Sequence, residues 1–336
     1  MSFLEITIIS IWYLLATALF LIGTLSSIST TFQTLLQYGK TTKTTITPTT
    51  PTFISTLITK FLNIKVSKQY FIYFYLIGLF TNTTMMIITL LATRDLPNFL
   101  SLCYQFHLTR RFYECINIHV FSKTATMHLF HFLFGLIYYV LVPISLYLIS
   151  HKQSSTISSP TLLATLIHVF SSVCFLLFSY GQYHTHVLLA LLRTAPKTIH
   201  KTDYRNKINR KGTKVDIQEN GKNRYQIPYG GLFHWLSSPH YICEIGMYFS
   251  LFLMSNPFFI FHILNFMFMQ MTVTEGGGEF EWIDVNVEVD MQLWMGMLLT
   301  TSINLSISAI TTHQWYLDTF PKYNTLNRKI LLPGVW

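Results

Sequence analysis

Hydrophobic residues run along this chain in long unbroken stretches, with few of the short alternations that mark a water-soluble fold. Apolar runs near 6–28, 69–92, 125–149, 161–192, 240–271 and 291–312 each approach or exceed the roughly 20 residues with which an α-helix crosses a bilayer. The stretch 97–121 mixes apolar and charged positions, and reads either as a further helix or as a half-buried, re-entrant segment. The pattern predicts an all-α integral membrane protein, a bundle of about 6–7 transmembrane helices. The first run lacks a basic leading region and a small-residue cleavage site, so it reads as an uncleaved anchor.

Composition points the same way. Charged residues make up 11% of the chain, against about 25% in soluble domains. Residues 40–56 (KTTKTTITPTTPTFIST) are rich in Thr and Pro and read as an extended linker between the first two runs. The linker belongs to an N-terminal unit of membrane helices over 1–96, which precedes a larger unit over 97–336 whose start is set by a family resemblance. Six acids and a Gly-Gly-Gly tract fall within 272–290, which reads as an exposed, solvated loop. The four cysteines lie in or beside apolar runs without a CxxC pair, as buried thiols do. Asn82 opens an Asn-Thr-Thr sequon inside an apolar run, out of reach of glycosylation.

The net charge of +9 is concentrated between Arg193 and Arg224, as in a cytoplasmic positive-inside loop. The same charges suit a phosphate-bearing ligand or anionic headgroups. Aromatic residues are too sparse there for base stacking, so nucleic acid is not an expected partner.

Polar residues are costly in a membrane and mark function when they cluster. Four constellations stand out. In HLTRRFYEC (107–115), helical spacing gathers His107, Arg110, Arg111 and Glu114 on one side, where an arginine can pair with Glu114. In YGQYHTHVLLALLRT (180–194), Gln182, His186 and Arg193 fall within about 40° of one another on a helical wheel. That stripe suits hydrogen bonds to ribose and phosphate, and equally a snorkelling arginine with two satisfied polar neighbours. In QIPYGGLFHWLSSPHYICE (226–244), a Gly-Gly turn leads to Pro239 in the first turn of a helix that places His240 and Glu244 on one face. In HQWYLDTFPKY (313–323), His313 closes the last apolar run with Tyr316 nearby. His184 and His186 fall on nearly opposite helix faces, and the single HxxH at His128 and His131 is short of a histidine-box set, so no metal is expected. There is no GxGxxG, hence no Rossmann site.

The Ile-Pro-aromatic-Gly, Ser-Ser-Pro-x-Tyr and Glu pattern within 226–244 resembles the C-terminal domain of the steroid 5α-reductase family, in its polyprenal (polyprenol) reductase branch. Arg-Arg-x-Tyr-Glu-Cys at 110–115, FGLIYYVLVPISL at 134–146 and the C-terminal His313, Trp315, Tyr316, Tyr323, Arg328 and Lys329 carry the same resemblance. It covers about 97–336 and makes 272–290 an insertion between two spans. The resemblance implies an NADPH-dependent reductase of the endoplasmic reticulum membrane, saturating the α-isoprene unit of a long polyprenyl lipid on the dolichol route. It places Gln182, His186, Arg193, His240, Glu244, Tyr323 and Arg328 on the cofactor side, and His313, Tyr316, His107, Arg110 and Glu114 on the catalytic side. Gln182, His186 and His240 depart from the family's usual residues. Membrane lipids and the polyprenyl substrate are the expected partners, with no obligate protein partner evident. Alternatives are reduction of a 3-oxo-steroid or an enoyl thioester, or a non-catalytic lipid-binding role. An isoprenylcysteine-type methyltransferase would need an Arg-His-Pro entry and a Glu-Glu pair that this chain lacks.

Overall fold

The computed structural model describes residues 2–26, 64–94, 96–122, 125–153, 162–194, 225–257, 259 and 285–332. The linker at 40–56, the basic residues from Lys197 to Arg224 and the acidic residues 272–284 lie outside the described residues, as does 260–271 of the fifth apolar run. Seven α-helices are seen among the described residues: α1 (Phe3–Ser26), α2 (Phe71–Thr93), α3 (Phe99–Asn117), α4 (Leu129–Gln153), α5 (Leu162–Thr194), α6 (Pro239–Ser255) and α7 (Val285–Thr319). Five helical stretches, Phe3–Thr24, Lys68–Thr93, Leu129–His151, Leu162–Arg193 and Val289–Thr319, are long and apolar enough to cross a membrane. The chain is an all-α integral membrane protein.

The two remaining helices, α3 and α6, are polar or short among the described residues, and both contribute to the site together with α5 and α7. Over 97–121 the chain forms one helix, α3, whose buried positions include Leu100, Tyr104, His107, Leu108, Arg111, Glu114 and Cys115. This stripe at three- and four-residue steps turns the charged residues inward against neighbouring helices. Asn98 starts α3 by accepting the Ser101 backbone N–H at 2.9 Å, and Asn82 is buried where it donates to Gln105 Oε1 at 2.8 Å. Helix α6 is buried along most of its length and packs most extensively against α5.

One expectation is overturned at the acidic segment. Residues 285–290 begin α7, and Asp290 is buried. Val289 and Asp290 are buried in line with Leu293, Trp294 and Met297, so the packed face of α7 extends back into the acidic segment.

The rest of the bundle forms by close approach of α1 to α7 and of α2 to α4 and α3. Trp12, fully buried, donates from its indole to Ser145 Oγ at 2.9 Å and accepts at its backbone carbonyl from Thr300 at 3.3 Å. Gly296 lets α7 reach that indole: a Cβ there would stand 2.6 Å from Trp12 Cβ. A short antiparallel hairpin-like pair, β1 (Lys65–Ser67) with β2 (Thr126–His128), sets the starts of α2 and α4 side by side, Lys65 opposite His128. At the C-terminus, a parallel bridge joins Leu236 to Lys329, the Ser237 N–H donating to Lys329 O at 2.9 Å.

Gly296→Val should lower the stability of the detergent-solubilised protein by about 1–3 kcal/mol, because Trp12 offers backbone-proximal atoms that cannot swing away. Fluorescence-detected size exclusion after heating measures this; an unchanged midpoint would contradict the α1–α7 approach.

Candidate active site

Glu114 lies fully buried on the inward face of α3 and accepts from three side chains. Arg110 and Arg111, four and three residues before it, both hydrogen-bond its carboxylate. The His186 Nδ1 of α5 stands 2.7 Å from the same carboxylate. At that distance two lone pairs would repel, so Nδ1 carries the proton and donates.

Arg110 passes the contact on. Its Nη2 donates to Gln182 Oε1 at 2.6 Å, and the Gln182 amide nitrogen donates to Glu244 Oε2 and, at 3.4 Å, to the His240 carbonyl. An amide is suited to this place, since one end accepts from a cation and the other donates to an anion. His107 completes the ring, with Nε2 3.3 Å from Glu244 Oε1 and Nδ1 3.4 Å from the Arg110 guanidinium. A guanidinium only donates, so His107 Nδ1 is the acceptor and Nε2–H faces the carboxylate. Two arginines and two carboxylates balance with the imidazoles neutral. α3, α5 and α6 are thereby tied together by charge where apolar packing alone is thin on polar partners.

Arg111 has further partners that sequence reasoning did not supply. Its Nη2 donates to Tyr75 Oη at 2.6 Å, and the guanidinium lies 4.8 Å from that ring's centroid. Nη1 lies 3.3 Å from the Nε2 of His119, just beyond α3, and 2.9 Å from His186 Nδ1, an approach of two donors to the one Glu114 carboxylate rather than a bond between them. Burial, then the neighbouring His186 and Arg111, push His119 down to about 2, so it is neutral and accepts. Glu114, His119 and His186 put their ligand atoms within 4.8 Å of one another, a spacing that a metal could use. Arg111 Nη1, however, lies against all three and already supplies the positive charge. The cluster is a socket for a guanidinium.

The C-terminal constellation forms a second cluster. Tyr316 stacks on Tyr323 with centroids 4.9 Å apart at 14°, and both are buried with Trp315, Phe320 and Ile227. Arg328, also buried, lies over the rings of Tyr229 at 4.9 Å and Tyr323 at 5.7 Å. His313 is half-buried, and its Nδ1 is 2.5 Å from Ser237 Oγ, which also receives the Tyr323 hydroxyl at 2.7 Å.

The proposed residues therefore separate into two groups. His107, Arg110, Glu114, Gln182, His186 and Glu244 meet in one network, with the His240 ring 5.6 Å from His186. His313, Tyr316, Tyr323 and Arg328 meet in the other. Residues 237–240 join them, because Ser237 faces the C-terminal cluster and the His240 carbonyl faces Gln182. Arg193 belongs to neither: it is exposed and donates to the Val120 carbonyl in the loop after α3. Positive φ at Gly230 (94°) and Gly231 (51°) turns the chain into this junction, where a Cβ on Gly231 would meet His184 at 3.0 Å.

Comparison with known proteins follows the C-terminal two-thirds of the chain. The sequence profile described as 3-oxo-5-alpha-steroid 4-dehydrogenase matches residues 125–283 and 276–336. A protein named polyprenal reductase from Mesocricetus auratus is 30% identical over 231 residues, covering 68% of this chain and 54% of that protein. The Homo sapiens protein of the same name is 27% identical over 231 residues, 68% of this chain and 56% of its own length. The chain thus spans about half the length of these curated relatives. The match to the Xenopus tropicalis polyprenal reductase extends over 98% of this chain and 100% of that protein, at 24% identity.

Replacing Gln182 by Leu should destabilise the protein by about 1–3 kcal/mol, because Arg110 and Glu244 would each lose a buried hydrogen-bond partner. A melting midpoint that does not fall, measured on the purified protein in detergent, would show that the amide bridge contributes nothing.

Proposed function

The chain belongs to the 3-oxo-5-alpha-steroid 4-dehydrogenase family, and from that premise we propose that it is an NADPH-dependent reductase that saturates the α-isoprene double bond of a polyprenal. The catalytic unit is assigned to 97–336 with an acidic insertion before α7, and 1–96 to accessory membrane helices. In the cell the product would enter the dolichol pool that supports protein glycosylation, at the endoplasmic reticulum membrane.

Chemistry selects the aldehyde. A carbon–carbon double bond accepts hydride readily when a conjugated carbonyl can take up the electrons; an allylic alcohol has no such sink. Bound NADPH would supply hydride to the β-carbon of the enal. The residues present fit such a cofactor: the Nη1 of Arg328 is buried with no hydrogen-bond partner among the described residues, a donor suited to an anionic oxygen. Arg328 and Tyr323 would hold the cofactor from the C-terminal cluster, with Arg193 at the exposed end of α5 beside the basic segment.

The observation that carries the reading is the state of His313. One ring nitrogen is engaged by Ser237, while the other makes no hydrogen bond among the described residues. That second nitrogen can donate to the carbonyl oxygen as it becomes an enolate, with Tyr316 close by on the same helix. Protonation of the α-carbon can then come from water. His107, Arg110 and Glu114 are engaged with one another and with Gln182, His186 and Glu244, so we assign them to holding the frame. Apolar helices accommodate the lipid tail and membrane lipids, and only the aldehyde head needs to reach the polar junction. A 3-oxo-steroid is the second reading, favoured by the description of the matching family, and it uses the same conjugated-carbonyl chemistry.

Membranes containing the chain should convert polyprenal, in the presence of NADPH deuterated at the transferred position, to dolichal labelled at the β-carbon. Polyprenol supplied alone should give no saturated product. His313→Ala should lower turnover by about 10²-fold or more while retaining NADPH binding. Absence of labelled product from polyprenal would overturn the proposal, and product from a steroid enone in a parallel reaction would establish the second reading.

A further inference from the structure

Ser237 lies between two C-terminal residues that sequence motifs single out, and it is itself outside every role assigned so far. It is 1% exposed, and its backbone is clamped: its N–H donates to Lys329 O at 2.9 Å, and Lys329 N–H returns to Trp235 O at 2.8 Å. Its hydroxyl has two polar neighbours at bonding distance, His313 Nδ1 at 2.5 Å and Tyr323 Oη at 2.7 Å. Each of these groups has a limited stock of protons, and the count fixes their order.

Tyr323 carries one hydroxyl proton and is 1% exposed. Its oxygen feels the Arg328 guanidinium, which hydrogen-bonds as a donor only, and Arg328 lies over the same ring at 5.7 Å. The phenol proton therefore goes to Ser237 Oγ. Burial raises the Tyr323 phenol, against the opposing effects of the Ser237 hydrogen bond and of Arg328, so the proton stays on the phenol at neutral pH. Ser237 has then accepted one hydrogen bond, and its own proton has one partner left, His313 Nδ1. In the reverse order, Nδ1–H would donate to Ser237 and Ser237 to Tyr323. The phenol proton would then face a guanidinium that accepts nothing, leaving a buried donor unpaired.

We propose that Tyr323 and Ser237 form a hydroxyl relay that fixes His313 as the neutral Nε2–H tautomer, presenting its outward ring nitrogen as a hydrogen-bond donor. Ser237 and Tyr323 are positioning residues in this arrangement; His313 is the group that meets the substrate. The inference deepens the reductase reading and rests on it for the identity of the oxygen that His313 meets, a carbonyl conjugated to a double bond. The tautomer itself follows from the proton count and the Arg328 guanidinium beside Tyr323, whatever the substrate. The relay also couples α7 to the entry of α6, since its Ser237–His313 step runs from one to the other. The stacked Tyr316 holds the Tyr323 ring in line with Ser237.

The test uses the full chain in lipid nanodiscs, labelled with 15N-histidine, with a His313→Gln variant to assign the His313 signals. The expected spectrum has His313 protonated at Nε2 and unprotonated at Nδ1. In Ser237→Ala and in Tyr323→Phe the Nδ1–H tautomer should appear at comparable population, a shift on the order of tenfold or more in the ratio. Ser237→Thr keeps the hydroxyl and should keep the native tautomer. In NADPH-driven polyprenal reduction, Ser237→Ala should lower kcat by about tenfold with the NADPH KM unchanged within about twofold, Tyr323→Phe should lower kcat by a similar factor, and Ser237→Thr should recover most of the rate. An Nδ1–H or doubly protonated His313 in the native chain, or a ratio that neither Ser237→Ala nor Tyr323→Phe changes, would overturn the relay. If Ser237→Ala does not fold, Tyr323→Phe and Ser237→Thr decide the matter in the same way. A native chain with the expected tautomer and no reduction of polyprenal would refute the reductase reading while leaving the relay standing.

Discussion

The Glu114 carboxylate has to be compensated wherever α3 is placed, and that requirement organises the centre of this protein. A buried charge costs several kcal/mol unless it is paired and hydrogen-bonded, of the order of ~3–5 kcal/mol when one partner of a buried pair is removed. Glu114 takes both Arg110 and Arg111, which leaves an excess positive charge. Glu244, reached through Gln182 and flanked by His107, restores the balance from α6. Helices α3, α5 and α6 are consequently fixed to one another by a set of bonds in which no member can be removed without stranding another. In a membrane, where apolar helices gain little by associating with each other rather than with lipid, such bonds supply orientation that hydrophobic burial does not.

Against this rigid centre, the C-terminal residues form a clasp. The bridge from Leu236 to Lys329 brings the chain after α7 back over the entry of α6, and Tyr316, Tyr323 and Arg328 stack behind it. His313 stands at the front of the clasp, held by Ser237. The arrangement divides labour between an internally paired ionic frame and a half-buried histidine with hydrogen-bonding capacity to spare. The proposed reduction of a lipid aldehyde would need both: a fixed wall for the reacting head and a donor where negative charge develops.

The sequence made the spans legible because apolar runs of bilayer length have few other uses, and α1, α2, α4 and α5 fall close to them. It also showed that His107, Arg110, Arg111 and Glu114 share a helix face, since that follows from spacing within one element. Which helices meet is a tertiary fact, so the bridge from Arg110 through Gln182 to Glu244 was not readable, although each member had been singled out. Tyr75 looked like one more aromatic in an apolar run, and His119 sat past the helix end, where periodicity carries no information. Ser237 was visible only as part of a Ser-Ser-Pro helix entry. The acidic residues up to Asp290 looked like solvated loop because composition averaged over 272–290 conceals the helix start at Val285.

A double-mutant cycle on Arg111 and Glu114 tests the ionic frame most directly. Arg111→Met and Glu114→Gln should each destabilise the protein by about 3–5 kcal/mol, measured by unfolding in a graded detergent series, because each leaves a buried charge uncompensated. The double variant restores the balance of one arginine and one carboxylate, and should cost at least ~2 kcal/mol less than the sum of the two. Additive losses, or single variants as stable as the native chain, would contradict the account, since the two side chains would then not be energetic partners.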